Sequence, residues 1–398
     1  MATELKREVV IAGAARTPIG RFGSGLATTP ATTLGSVAIR AAAERAGISG
    51  ADVDYTIMGN CLPAGLGMVP ARQSAIDAGI PDSVSALTVN KACASGLSAV
   101  VLAAQAIQLD EAEVVAAGGM ENMSLAPHLL MNSRTGQRLG DIKMADHMLA
   151  DGLWCPWENR HMGGSAEAIA GKYEVTRQEQ DEFAARSHAR AIAAIERGWF
   201  KDEIAPVEVK GRRGAVTVVD TDEGPRADSN FEGMAKLRPA FPPGETVTAG
   251  NASQISDGAA ALVIMSGERA AETGATPIGR IVGYAHAANP PGWLFDAPPM
   301  ALANLFEKTG ESLDDFDLIE VNEAFSAQCV ANGKVLGWDW ERVNERGGAV
   351  ALGHPVGASG ARILVTLLYG LRRTGGKKGL ALICHGGGGA MAMSVEAA

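Results

Sequence analysis

The chain has 398 residues, enough for two or three domain-sized units. Hydrophobic residues make up 46% and charged residues 20%, the balance of a soluble globular protein with a large core. The formal net charge of −10 and the lack of any dense Lys/Arg run argue against a nucleic-acid partner, so an anionic ligand must be held by a few local cations or by helix N-termini.

The five cysteines, Cys61, Cys93, Cys155, Cys329 and Cys384, are odd in number and form no C-x-x-C pair. That argues against a disulfide framework and against a Cys-rich zinc site, and favours a reducing compartment. Residues 1–10 hold no apolar signal core, and no apolar run is long enough to span a membrane, so a cytoplasmic protein without membrane attachment is expected. Glycine is abundant and aromatics are scarce, which suits tight strand–helix turns and close helix packing.

In chain order, the apolar runs VVIAG from Val9, ALTV at 86–89 and LALIC at 380–384 lack alternation and read as strands buried on both faces. Residues 46–54 read AGISGADVD and residues 309–317 read TGESLDDFD, identical at four of nine positions. Each stretch runs on through a short apolar segment to an asparagine, Asn60 or Asn322. At nearly the same offset, Ala94-Ser95-Gly96 matches Ala358-Ser359-Gly360, and each ASG opens a helical apolar pattern followed by an apolar run ending in glycines. Three ordered matches predict two copies of one α/β unit, each with a parallel or mixed sheet. Between them, residues 119–248 are richer in charge, Pro, Met and Trp, and include a helical pattern from Thr176 with a Thr176/Glu179 capping box. The expected division is an N-terminal half (1–119 plus 249–272), a loop domain (120–248) suited to substrate specificity, and a C-terminal half (273–398).

Cys93 lies between the strand-like SALTV and the helical SGLSAVVLAAQAI, at a helix N-terminus, where free N–H groups and the helix dipole favour a thiolate. Taken alone it could equally be a buried, inert cysteine. His354, in GGAVALGHP, precedes the duplicate helix and would supply a base if the halves face each other; the other reading is a satisfied loop histidine. Cys384 ends the last apolar strand before His385 and four glycines, whose N–H groups make an anion-stabilising turn, or only a turn. Asn322-Glu323 stands at the end of a strand, a usual site position in α/β folds. The His and Cys residues show no metal-ligand spacing.

NKACASGL, NEAF, GGAVALGHPVGASG and CHGGGGA together resemble the signatures of the thiolases, and the resemblance extends from VVIAGAARTPIGRFG to the C-terminal CHGGGGA. It also takes in HMGG at 161–164, MAKLRPAF at 234–241 and TVTAGNAS at 246–253. The resemblance implies a thiolase fold of the α/β class, with two duplicated halves forming a layered αβαβα core and a large inserted loop domain. It implies an acyltransferase that condenses two acetyl-CoA, or cleaves a 3-ketoacyl-CoA, through an acyl-Cys93 intermediate. Position by position, Cys93 matches the nucleophile, and His354 the base, which also lines the first oxyanion hole. Asn322 matches the holder of that hole's water, and Cys384 the second cysteine that moves the α-proton. The N–H groups of Cys93 and Gly386 match a second oxyanion hole. Leu153, His161, Met162, Arg226, Phe241, Ser253, Ala324 and Phe325 match the coenzyme A contacts. No metal or redox cofactor is implied, coenzyme A and acyl-CoA being substrates, and a homodimer or tetramer is expected, with 126–151 as a tetramer loop.

The sequence departs from the family pattern at 289–299 (NPPGWLFDAPP), where Trp293 and Phe295 are expected to reshape the acyl pocket, and at Gln254, where many relatives carry glycine. Rival readings are a broader-range 3-ketoacyl-CoA thiolase, a decarboxylating condensing enzyme of the same fold, and a non-catalytic acyl-CoA or lipid-binding relative. Cys384 argues against the second, and retention of Cys93 and His354 against the third.

Overall fold

A computed structural model describes residues 7–136, 138–211 and 214–398. Nine strands form the main path of a ten-stranded mixed sheet: β1 (Val9–Arg16), β2 (Tyr55–Gly59), β3 (Ser85–Val89), β4 (Val114–Asn122), β5 (Ser256–Ser266), β6 (Gly279–Ala288), β7 (Leu318–Val321), β8 (Lys378–His385) and β9 (Gly389–Ala397). The helices are α1 (Ala31–Ala46), α2 (Pro70–Asp77), α3 (Ser95–Gln108), α4 (Met162–Lys172), α5 (Arg177–Glu196), α6 (Phe231–Ala235), α7 (Gly267–Thr273), α8 (Ala297–Thr309), α9 (Ser326–Leu336), α10 (Ala349–Leu352) and α11 (Ser359–Thr374). Strand order is β7-β8-β9-β6-β1-β5-β4-β2-β3, with the two-residue strand Gly20–Arg21 paired to β5.

Read outward from the β1/β6 contact, the sheet is the same unit twice: β1-β5-β4-β2 on one side, β6-β9-β8-β7 on the other. The outer pairs β2–β4 and β7–β8 are parallel and the inner pairs antiparallel, so each half is mixed. The four residues shared by the two repeated stretches do the same work in both copies. Gly47 and Gly310 close α1 and α8 in the left-handed conformation, φ 72° and 74°, which costs glycine nothing. Ser49/Asp52 and Ser312/Asp315 form capping boxes on matching single turns. Asp54 accepts the N–H groups of Glu113 and Val114, and Asp317 those of Lys377 and Lys378, pinning the start of β4 and of β8.

Helices α3 and α11 pack on each other in an inner layer, in one apolar cluster with the facing sides of both half-sheets. Helices α1 and α2 cover the outer side of the N-terminal half, and α8 and α9 that of the C-terminal half. These are the five αβαβα layers. Strands β1, β4 and β5 are buried along their whole length, as continuous apolar runs require. Strand β3 is not: it ends the sheet path, one of its edges is unpaired among the described residues, and Leu87 is 39% exposed, so the apolar run ALTV is an edge strand rather than the expected fully buried one. The segment between β4 and β5 carries α4, α5, α6 and the hairpin of Val207–Lys210 with Val216–Val219. Thr176 caps α5 with the Glu179 box that its sequence predicts. No helix of the described residues is long and apolar enough to cross a membrane.

The ASG repeat sets how closely the inner helices meet. A Cβ on Gly96 would lie 2.8 Å from the Ala361 nitrogen, and one on Gly360 would lie 2.5 Å from the Leu97 nitrogen. Both contacts are with backbone, which no rotamer change relieves. Gly360→Ala is expected to force α3 and α11 apart and lower stability by about 1–3 kcal/mol, the usual cost of overpacking, read as a fall in Tm. An unchanged Tm would show that the crossing has slack.

Candidate active site

The turn before α3 holds Ala92 at φ 46°, a left-handed conformation that strains a residue with a Cβ. Side chains on either side fix it. Asn90 Oδ1 accepts the Ala92 N–H (3.0 Å), and Ser95 Oγ accepts the Lys91 N–H (2.8 Å) while donating to the Ala92 carbonyl (2.6 Å). This leaves Cys93 partly exposed to a cavity, with backbone N–H groups of Gly386 and of Cys93 itself directed at its sulfur. The sequence leads one to expect a thiolate here, but burial outweighs those N–H groups and pushes the thiol up to about 11. The resting group is a thiol.

His354 follows Gly353, whose φ of 114° suits glycine. Its Nδ1 lies 2.5 Å from Ser359 Oγ, and that hydroxyl donates to the Pro355 carbonyl at 3.0 Å. The hydroxyl proton is thus committed, Nδ1 carries the hydrogen, and Nε2 keeps a lone pair. Asn322 Nδ2 stands 3.4 Å from that Nε2. Burial, reinforced by the Arg362 guanidinium, lowers the imidazole to about 3. Asn322 Oδ1 is buried with no partner among the described residues, in a position to accept from a small polar molecule. Cys384 is the last residue but one of β8, and burial together with the neighbouring Cys93 raises its thiol well above the usual range.

Cys93, His354 and Cys384 line one cavity of about 400 Å³, to which both halves and the inserted segment contribute. Gly386, Leu153, His161, Met162, Phe241, Ser253, Ala324 and Phe325 line it too. His161 caps α4, its Nδ1 accepting from Gly163 N–H at 3.0 Å, and its ring stacks on Phe241 at 4.7 Å. Phe241 meets Phe325 edge-on, and Phe325 meets Phe295, so aromatic rings run along one wall. Ser253 N–H donates to the Ala324 carbonyl, joining the two polar loops of the rim. Asn322 stands against His354 rather than on the wall. Arg226 stands outside the cavity, exposed and paired with Asp228 at 3.1 Å.

Of the two aromatics expected to reshape the acyl pocket, only Phe295 lines it, together with Leu294. Trp293 is 41% exposed and carries the Lys172 ammonium 5.0 Å above its ring, because its turn points it to solvent. Glu121, on β4, is a contributor that sequence reasoning missed. Its carboxylate accepts from Cys61 N–H (2.9 Å), Leu62 N–H (3.2 Å), Gly357 N–H (3.0 Å) and Asn60 Nδ2 (2.7 Å), tying the loop under Cys93 to the loop after His354. Burial pushes it up to about 7. The sequence signal was a carboxylate inside an otherwise apolar strand, VVAAGGMEN. Glu323, beside Asn322, is also buried and structural, bound to Ser187, Asn344 and the Val350 N–H.

A strained cysteine turn facing a neutral imidazole and a second thiol, on duplicated halves, is the arrangement of an acyl-transferring thiol enzyme. The profile of the thiolase N-terminal domain matches residues 9–268, and that of the thiolase C-terminal domain residues 275–397. The chain belongs to the thiolase family. It is 51% identical to the acetyl-CoA acetyltransferase of Pseudomonas aeruginosa, with 98% of this chain and 99% of that one covered. It is 50% identical to the acetyl-CoA acetyltransferase of Cupriavidus necator over the same shares. It superposes on the crystal structure of the Bacillus anthracis acetyl-CoA acetyltransferase with a TM-score of 0.97 at 44% identity, both chains covered completely.

The two shifted groups set a pH window. Protonating His354 would take the lone pair from Nε2, and burial moves that event far below the ordinary histidine value of about 6.5. Ionising free Cys93 would make a proton acceptor unnecessary, and burial moves that event up to about 11. The rate of acetyl transfer to Cys93 is therefore expected to be flat between about pH 5.5 and pH 8, measured by rapid quench. A half-loss centred near 6.5 would mean that the imidazole is solvated.

Proposed function

We propose that this thiolase catalyses the reversible condensation of two acetyl-CoA to acetoacetyl-CoA and CoA by a ping-pong route through acetyl-Cys93. The observation that carries it is that Cys93, His354 and Cys384 share one cavity while Asn322 stands against His354 Nε2. The names of the relatives agree with this choice of substrate.

His354 Nε2 takes the Cys93 proton as the sulfur attacks the thioester carbonyl. The oxyanion is held by the N–H groups of Cys93 and Gly386, which lie at that sulfur. Collapse expels the CoA sulfur, which leaves with the proton of Cys384, a group that burial holds as a thiol and hence as an acid. The Cys384 thiolate so formed takes an α-proton from the second acetyl-CoA. The enolate oxygen is held by His354 and a water on Asn322, whose Oδ1 otherwise has no partner among the described residues, and its carbon attacks acetyl-Cys93, whose oxyanion is again held by the N–H groups of Cys93 and Gly386. Collapse releases acetoacetyl-CoA, and the Cys93 sulfur recovers its proton from His354. Atoms and electrons balance with coenzyme A and acyl-CoA alone, so no metal or redox group is called for.

Coenzyme A would enter along the wall of Leu153, His161, Met162, Phe241, Ala324 and Phe325, with Ser253 at the rim and Arg226 outside, where the nucleotide end emerges. In this reading residues 120–248 act as a loop domain for the substrate, between an N-terminal half of 1–119 plus 249–272 and a C-terminal half of 273–398. A homo-oligomer, dimer or tetramer, is favoured by the open edge of β3 and by the exposed Leu130, Met131, Ile142 and Met144 within 126–151. Five free thiols, four of them buried, suit a reducing, cytoplasmic setting.

Mass spectrometry after mixing with acetyl-CoA is expected to find one acetyl group on the Cys93 peptide, absent in Cys93→Ala. Cys384→Ala is expected to keep that adduct and lose condensation. Asn322→Ala is expected to lower kcat by about 10²–10³. Wild-type protein that stays unacetylated defeats the proposal. Phe295→Ala is expected to raise kcat/KM for longer or 2-methyl-branched 3-ketoacyl-CoA relative to acetoacetyl-CoA by about tenfold or more; an unchanged ratio would remove Phe295 from the acyl pocket.

A further inference from the structure

We propose that Gln254 is a positioning residue for the reaction, holding the backbone that aims His354 from both sides of Gly353. This rests on the reading of His354 as the base. Helix α10 is a single turn that ends just before Gly353, and a helix end leaves carbonyls without intrahelical partners. Gln254 Nε2 lies 2.8 Å from the Ala351 carbonyl and 3.2 Å from that of Val350, and 3.0 Å from the Gly224 carbonyl. Three acceptors around one amide group settle its orientation: the nitrogen, not the oxygen, faces them. A side chain thus caps the C-terminus of the turn that delivers the catalytic histidine.

The main chain of the same residue grips the other side of the pivot. The Gln254 carbonyl accepts the His354 N–H at 3.0 Å and the Ser256 hydroxyl at 2.9 Å. Between these two grips Gly353 sits at φ 114°, and a Cβ on it would lie 2.2 Å from Ser256 Oγ. The pivot therefore accepts no side chain, and since Gly353 alone separates α10 from His354, a shift of α10 passes to the imidazole. The bond to Gly224 adds the segment that leads to Arg226, so that segment and the His354 loop share one anchor.

A plain packing role and a positioning role make opposite predictions. Gln254→Met keeps the volume, donates nothing, and shuts water out from the carbonyls. Gln254→Gly opens space in which water can cap them. Loss of packing would make the glycine variant the worse enzyme, whereas loss of the donor makes the methionine variant worse. In the full-length enzyme, thiolysis of acetoacetyl-CoA is expected to show kcat about 10–100-fold lower in Gln254→Met, with KM for CoA within about threefold. Gln254→Gly is expected to lie between Gln254→Met and wild type. Methionine at wild-type kcat, or glycine as the more damaged variant, would overturn the proposal. Should the methionine variant not fold, Gln254→Asn, whose amide falls one methylene short, must still lower kcat at unchanged KM; a wild-type kcat overturns the proposal. Wild-type enzyme that forms no acetyl-Cys93 instead overturns the assigned reaction, before any variant is compared.

Discussion

Everything at the site depends on a close helix crossing. Helices α3 and α11 meet where each presents a glycine of the ASG repeat to the backbone of the other, with no space for a methyl group on either. Because the cysteine turn opens one helix and the histidine loop opens the other, that approach determines whether a sulfur and an imidazole from opposite halves can share a cavity. The buried Glu121 carboxylate acts on the same distance from below, bonding to the loop under Cys93 and to Gly357 after His354. Packing sets the spacing, and a buried carboxyl group fixes which loops face each other.

The same burial keeps the chemistry neutral at rest. Desolvation disfavours the charged forms of Cys93, Cys384 and His354, so both thiols stay protonated and the imidazole stays unprotonated. A thiol beside a neutral base is inert until a thioester carbonyl arrives, at which point N–H groups already directed at the sulfur can take up the charge that develops. Helix-terminus arguments alone predict a thiolate, because they count the dipole and leave out the cost of removing water. That cost is the larger of the two here.

Much of this was legible in the sequence, for identifiable reasons. The duplication was readable because the four shared residues of the repeated stretches have conformational duties that few other residues can perform: a left-handed glycine, a serine–aspartate box, an aspartate pinning the next strand. The α5 boundary was readable because a capping box is local. The meeting of Cys93 and His354 followed from placing equivalent turns of two copies face to face, whereas Cys384, at a strand end, was joined to them only by the resemblance of its motif. What could not be read depends on contacts distant in sequence. The edge position of β3 comes from strand order, which apolar content does not encode. The outward turn of Trp293 comes from the turn at 291–296 and from Lys172. Gln254 was visible as an oddity within a motif, yet its amide meets carbonyls about a hundred residues away.

The duplication has one more consequence. Cys93 comes from the N-terminal copy, and His354, Asn322 and Cys384 come from the C-terminal copy. Neither copy holds all four of these side chains, so neither half alone can assemble the cavity, and any motion that parts the halves takes the sulfur away from the imidazole.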